Sequence, residues 1–173
     1  MLENKIIIAG GGHAGIEAAL AITKMGYACT MVTLNKSAVG RMSCNPAIGG
    51  LAKGHLVKEL DALGGIMGQV ADQATIQNKI LNKSKGRAVW SPRSQVDKIR
   101  YTKIVQQHIF KNTKITIIED EVIDFRLEKN KVVGATLKSG STLACNALII
   151  TCGTFMSGLI HIGNKQFKGG RIG

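Results

Sequence analysis

Gly10, Gly12 and Gly15, in the stretch "AGGGHAG", have the GxGxxG spacing of a loop that wraps the phosphates of a dinucleotide. The chemistry there belongs to the backbone. Gly10 permits a sharp turn, Gly12 lets amide N–H groups approach a pyrophosphate, and Gly15 lets a helix lie close on the strand before it. Gly11, His13 and Ala14 complete the turn, and the N–H groups at the helix start face the anion. A second candidate is a nucleophile. Cys44 lies in "RMSCNPAIGG", a polar connection in which Arg41, Lys53 and His55 are near in sequence and would favour the thiolate. The other reading of a cysteine, a buried inert thiol, suits Cys29, Cys145 and Cys152 better, because they sit in or beside strand-like runs. His13 and His55 are read as helix-capping or structural, and no metal-ligand spacing is visible, so no metal is expected.

A third candidate is a field rather than a residue. The 173-residue chain has a net charge of +12, and residues 79–114 hold ten Lys/Arg against the single acid Asp97. A one-sided stretch of this kind is either a solvated face or a surface for a polyanion such as nucleic acid. Lys83, Lys85, Arg87 and Arg93 are the nominated contacts. Residues 119–128 reverse the sign, with five acids and one arginine.

The elements that position these groups follow from periodicity. "KIIIAG" reads as a buried parallel strand, "HAGIEAALAITKMG" as a helix stopped by Gly26, and "ACTMVTL" as a second strand, together a βαβ unit. Residues 35–54 form a long connection rich in Gly, Asn and Ser, of a length that usually serves a function. "HLVKELDALGG" is a short amphipathic helix. A longer helix is expected over 94–112, with Ser94 as N-cap and Asp97 at its third position. "KITIIED" is a strand, and residues 121–151 alternate and turn twice, as a β-meander feeding the aliphatic strand "ALIIT". No closing helix is expected in the glycine-rich end. The composition, 45% hydrophobic and 20% charged, suits one folded α/β domain over residues 1–173. No apolar run reaches the roughly 20 residues of a membrane span, and "MLENK" leads into the first strand without a secretory signal, so a cytoplasmic chain with reduced thiols is expected.

The acid that usually holds the ribose at the end of the second strand is replaced by Thr33, Leu34 and Asn35, which argues against an ordinary NAD(H) dehydrogenase. Thr33 or Asn35 is left to bond a hydroxyl. The meander placed before the last strand resembles that of flavoproteins with two dinucleotide-binding domains. That resemblance makes FAD the expected cofactor, nominates backbone at Val122 for the adenine, and brings Gly153 near the cofactor.

"GGGHAGIEAA", "RMSCNPAIGGLAKGHLVKELDALGG" and "ILNKSKGRAVWSPRSQVDKIRY" closely resemble the MnmG (GidA) family of tRNA uridine 5-carboxymethylaminomethyl modification enzymes, as do "GTFMSGLIHIG" and "GGRIG". The resemblance implies a Rossmann-like FAD-binding domain and a flavoenzyme. With an MnmE-type GTPase, that enzyme adds a carboxymethylaminomethyl group to C5 of the wobble uridine of tRNA. NADH would be the reductant and methylene-tetrahydrofolate the one-carbon donor, in a homodimer. Residues 10–15 would then hold FAD phosphates, and Cys44 would match the cysteine important for activity. Where the family commonly reads "KGPAV", this chain has Arg87, followed by Trp90, a ring expected to be buried though able to stack on a base. Members are several hundred residues long, so an incomplete FAD pocket is expected here, as in a truncated or split piece of a longer enzyme. A general FAD/NAD oxidoreductase fragment and a non-catalytic nucleic-acid-binding fragment are the alternatives.

Overall fold

The computed structural model describes residues 5–42, 45–154 and 156–170. In chain order its elements are β1 (Ile6–Ala9), α1 (His13–Lys24), β2 (Cys29–Thr33), β3 (Ala47–Gly49), α2 (Gly54–Ala62), α3 (Met67–Ala74), β4 (Thr75–Leu81) and β5 (Ser91–Val96). These are followed by α4 (Lys98–Phe110), β6 (Ile115–Glu119), β7 (Val122–Glu128), β8 (Lys131–Leu137), β9 (Thr142–Ala144), β10 (Ala147–Ile150), β11 (Leu159–Ile162) and β12 (Lys165–Lys168).

The centre is a parallel sheet ordered β10-β1-β2-β6, with Ile8 opposite both Ile149 and Met31. Its strands are runs of aliphatic residues because both faces are covered. Alternation along each strand sorts the side chains. Ile8, Cys29, Met31 and Ile115 face a cluster completed by Ile16 and Leu20 of α1, Val70 of α3, and Tyr101, Val105 and Ile109 of α4. Ile7 and Val32 point the other way, onto Ala135, Leu137 and Cys145. Those residues belong to or adjoin the antiparallel sheet β7-β8-β9, so the expected meander covers the second face. Ile8, Met31 and Ile109 are wholly buried, and each such side chain contributes about 1.5–3 kcal/mol.

A separate antiparallel sheet, β3-β5-β4, is built from the connection after β2 and the basic segment. Here the expected long helix is corrected. "SPRSQV" is strand, paired with Gly49–Ala47 on one side and Leu81–Thr75 on the other, so Ser94 bonds Asn78 across the ladder instead of capping a helix. The cap is Asp97, whose Oδ1 accepts from the Ile99 and Arg100 N–H groups, each at 2.9 Å. Ser94 has a capping residue type, but pairing to two distant strands takes it into β5 and moves the helix start to Asp97. Glu17 of α1 holds α3 in place, its carboxylate accepting the Ile66 N–H at 3.1 Å and the Met67 N–H at 2.8 Å, where a negative charge suits the helix N-terminus. The glycine-rich end adds the hairpin β11–β12. None of the described helices is long and apolar enough to cross a membrane.

Candidate functional site

The turn after β1 is clamped from both neighbouring strands. Gly10 N–H donates to the Val32 carbonyl at 2.8 Å, and Thr151 N–H donates to the Ala9 carbonyl at 2.9 Å. The Thr151 hydroxyl also donates toward the Ala9 and Gly10 carbonyls, at 2.9 and 3.2 Å. Gly10 has a φ of +117°, and a Cβ on it would lie 2.4 Å from the Thr151 carbonyl oxygen. A Cβ on Gly15 would lie 2.0 Å from the Gly10 carbonyl oxygen, so helix and turn meet without room for a methyl group. Gly12 is the opposite case: among the described residues, no atom lies within 4 Å of where its Cβ would be. That open cradle sits at the N-cap of α1, where no side chain makes a capping bond. The first helical bond runs from Ile16 N–H to the Gly12 carbonyl, so the amides of His13, Ala14 and Gly15 are directed out of the helix end. A space bounded by unbonded amides at the positive end of a helix fits a phosphate group.

Other nominated residues divide by what they touch. Gly11 and Thr33 are buried together, the Thr33 hydroxyl 2.8 Å from where a Gly11 Cβ would lie. Asn35 is committed locally, its Oδ1 accepting from Ser37 N–H at 2.7 Å. The missing carboxylate at the end of β2 has a neighbour in Glu119, opposite Thr33 on β6, whose Oε2 accepts the Lys36 N–H at 2.9 Å. His13 turns its ring onto Tyr101, with centroids 5.7 Å apart, and its buried Nε2 has no hydrogen-bond partner among the described residues. Burial holds its pKa below the ordinary imidazole value, so what it can offer an anion is its backbone N–H. Val122 opens β7 opposite Leu137 and packs against the second core cluster. Gly153 is exposed, with a φ of +73°, two residues past Thr151. Thr151 and Glu119 were not nominated from sequence. Only the register of β10 and β6 brings them to the turn and to the end of β2.

Cys44 lies outside the described residues. The chain is described again from Asn45, and the Pro46 carbonyl accepts the Val96 N–H at 2.8 Å, which ties this segment to β5. Among the described cysteines, Cys29 and Cys145 are buried as expected, and burial raises both thiols, Cys29 to about 11. Cys152 is exposed, contrary to expectation, because it follows Thr151 at the open end of the sheet.

The basic segment is split. Lys98–Phe110 form α4, which gives one side to the core, while Lys83, Lys85 and Arg87 stand exposed in the connection from β4 to β5. Arg93 is half-buried on β5, directly opposite Lys79. Like charges facing each other across a ladder destabilise it, a cost that a bound anion offsets. The two side-chain ion pairs found among the described residues, Arg126–Glu128 and Lys138–Glu121, lie elsewhere. Trp90 is 41% exposed, correcting the buried ring expected from sequence.

The sequence profile of the family described as "Glucose inhibited division protein A" matches residues 5–173. The tRNA uridine 5-carboxymethylaminomethyl modification enzyme MnmG of Aquifex aeolicus is 48% identical over 171 residues, covering 99% of this chain and 28% of that protein. Its counterpart from Sulfurihydrogenibium is 49% identical, with the same coverage. The crystal structure of Aquifex aeolicus GidA superposes with a TM-score of 0.92 over 98% of this chain and 28% of that one, at 48% identity. A probable FAD-dependent monooxygenase from Pseudomonas aeruginosa, 13% identical with a TM-score of 0.57 over 84% of this chain and 41% of that one, shares the fold alone. The chain thus spans just over a quarter of the length of these MnmG and GidA relatives.

Proposed function

The chain belongs to the glucose inhibited division protein A family, and on that premise we propose that it is the FAD-binding part of a flavoenzyme that modifies the wobble uridine of tRNA. The observation that carries the cofactor assignment is the cradle at Gly12, open and faced by the amides of His13, Ala14 and Gly15. FAD bound there would supply the redox chemistry of the modification. This chain's residues would hold it: the turn takes the pyrophosphate, Gly10 and Gly15 let strand and helix close around it, and Thr151 and Thr33 brace the turn from either side. Backbone at Val122 and Gly153 would meet the remainder of the cofactor at the same end of the sheet. Cys44 would act on the uridine or the one-carbon unit, as a nucleophile or in a proton transfer. Lys83, Lys85, Arg87 and Arg93 would engage tRNA phosphates.

What the relatives imply for the whole protein is part of the same proposal. It would add a carboxymethylaminomethyl group to uridine C5, with NADH as reductant and methylene-tetrahydrofolate as carbon source. It would work as a cytoplasmic homodimer with an MnmE-type GTPase.

Cofactor and substrate are tested separately. Incubation with FAD followed by gel filtration should give a yellow chain; one that stays colourless overturns the cofactor assignment for this chain. Reversing Lys83, Lys85 and Arg87 to Glu should weaken tRNA binding and lower the magnitude of its salt slope by about 0.7–1 per lost phosphate contact. Unchanged tRNA affinity would make the segment a solvated face. Cys44→Ala should abolish modification, read by mass spectrometry of tRNA nucleosides in cells that depend on this gene product, while leaving FAD binding intact.

A further inference from the structure

Beside the basic connection lies an open cavity of about 440 Å³, walled by Leu51, Val89, Trp90 and Pro92 and, on α2, by His55 and Lys58. Its aromatic wall is built to stay in place. The Trp90 indole N–H donates to the Lys85 carbonyl at 3.2 Å, and Trp90 N–H donates to the Arg87 carbonyl at 3.2 Å. The Arg87 guanidinium stands over the ring, 5.8 Å from its centroid, and is not among the residues that wall the cavity. The ring is therefore oriented from the Lys85–Arg87 side and remains 41% exposed. Holding a large aromatic group outside the core forgoes its burial, and here the indole N–H bond to the Lys85 carbonyl fixes the ring while the backbone bond to Arg87 fixes the turn that carries it. His55 and Lys58, three residues apart on α2, share a helix face and put two donors on the wall formed by that helix. The volume falls within the usual range for small-molecule sites of about 300–1,000 Å³.

We propose that this cavity is a subsite for one splayed-out nucleotide of single-stranded RNA, its base stacked on Trp90 and its phosphate met by Lys58 and His55. An aromatic plane next to side-chain donors, one of them the Lys58 ammonium, is the combination that grips an unpaired nucleotide, because every base has a π-face and every linkage a charge. The subsite rests on the proposal that the chain acts on tRNA, and it adds a local contact made by unpaired RNA. The site depends on Trp90 of this chain rather than on the cofactor turn.

Trp90 is the single tryptophan of the sequence, so its fluorescence reports on the site without background. The 173-residue chain is titrated with hexauridylate, read by tryptophan emission and by anisotropy of the labelled oligonucleotide. Saturable quenching is expected. Trp90→Ala should weaken binding about tenfold, and Trp90→Phe, which keeps a stacking face, should stay within about threefold of wild type. Lys58→Ala should lower the salt slope by about one. A polyglutamate peptide of matched charge should neither quench nor compete. The proposal is overturned if hexauridylate does not bind, if it binds without changing emission, if Trp90→Ala binds it as wild type does, or if polyglutamate competes equally. The parent reading fails differently. If hexauridylate quenches Trp90 while intact tRNA does not bind, the subsite stands and the tRNA assignment falls. If tRNA binds and responds to the Lys83, Lys85 and Arg87 reversals but not to Trp90→Ala, the subsite falls alone.

Discussion

Two glycines three residues apart should fail in opposite ways when each is changed to alanine. In Gly15→Ala the new methyl group would lie 2.0 Å from the Gly10 carbonyl oxygen, where real contacts essentially never fall below 3.0 Å. Helix α1 and the turn must therefore separate by about 1 Å, against a turn bonded to both β2 and Thr151. Forced overpacking of this kind costs about 1–3 kcal/mol, and the backbone obstacle places this case at the upper end. For a domain of this size, about 3 kcal/mol lowers the melting temperature by roughly 6–12 °C. Gly12→Ala meets nothing within 4 Å among the described residues, and Gly12 has φ −76° and ψ −175°, which alanine adopts freely. It loses only the preference for glycine over alanine at an N-cap, about 1 kcal/mol or less and no more than about 4 °C. Its methyl group instead fills the cradle. Displacing a phosphate from two amides loses charge-assisted bonds of about 1.5–3 kcal/mol each, so FAD affinity should fall at least tenfold. Thermal unfolding by circular dichroism and FAD titration by flavin fluorescence measure the two effects on the same samples. A Gly15→Ala chain that melts with wild type, or a Gly12→Ala chain that binds FAD with wild-type affinity, refutes the assignment of close packing to one glycine and ligand approach to the other.

Other consequences follow from single groups. Asp97→Ala removes the acceptor for two amides of α4 and should cost about 0.5–2 kcal/mol in urea unfolding, while Asp97→Asn keeps most of it. Burial raises the Cys29 thiol to about 11, so the stability it contributes is complete below the unfolded thiol pKa and lost as pH rises from about 9 to 11. Denaturation midpoints of wild type should therefore fall across that window by up to about 2–3 kcal/mol more than those of Cys29→Ala, and parallel curves would exclude the effect. Burial depresses His13, so its contribution is present above the ordinary imidazole pKa and lost as pH falls below it. Relative to pH 7.5, His13→Phe should lose less stability at pH 5 than wild type does; an equal loss would mean that the imidazole protonates without cost.

The β1–turn–α1 unit was legible because its constraints are local: an aliphatic run, glycines at fixed spacing, and a helix whose apolar residues repeat every three or four. The meander was legible for the same reason, through alternation and two turns. What escaped is set by partners far away in the chain. Nothing near Thr151 marks it as a clamp until β10 is known to lie against β1, and Ser94 resembles a helix cap until β5 is seen between β3 and β4. Trp90 was expected inside, but a carbonyl at Lys85 and a guanidinium at Arg87 stabilise it at the surface. The exposed Cys152 follows from the same rule, since position beside a strand says nothing of whether that end of the sheet is covered.

The division of charge ties these observations to a final expectation. The turn at Gly10–Gly15 offers only amides to the proposed cofactor and contributes no cation, whereas the strongest run of cations lies in and after the β4–β5 hairpin. An anion held by helix N–H groups exchanges few counterions, because the groups that receive it carry only partial charge. One held by Lys83, Lys85, Arg87 and Arg93 releases them, with a slope near −0.7 per contact for single-stranded RNA, or about −3 in all. Raising salt from 50 to 200 mM should therefore leave FAD affinity within about twofold, whereas binding of the single-stranded anticodon loop falls by roughly 60-fold. Isothermal titration at the two salt concentrations separates the ligands. Equal salt slopes for both would mean that the cations reach the cofactor, and the net charge of the chain would then serve the dinucleotide after all.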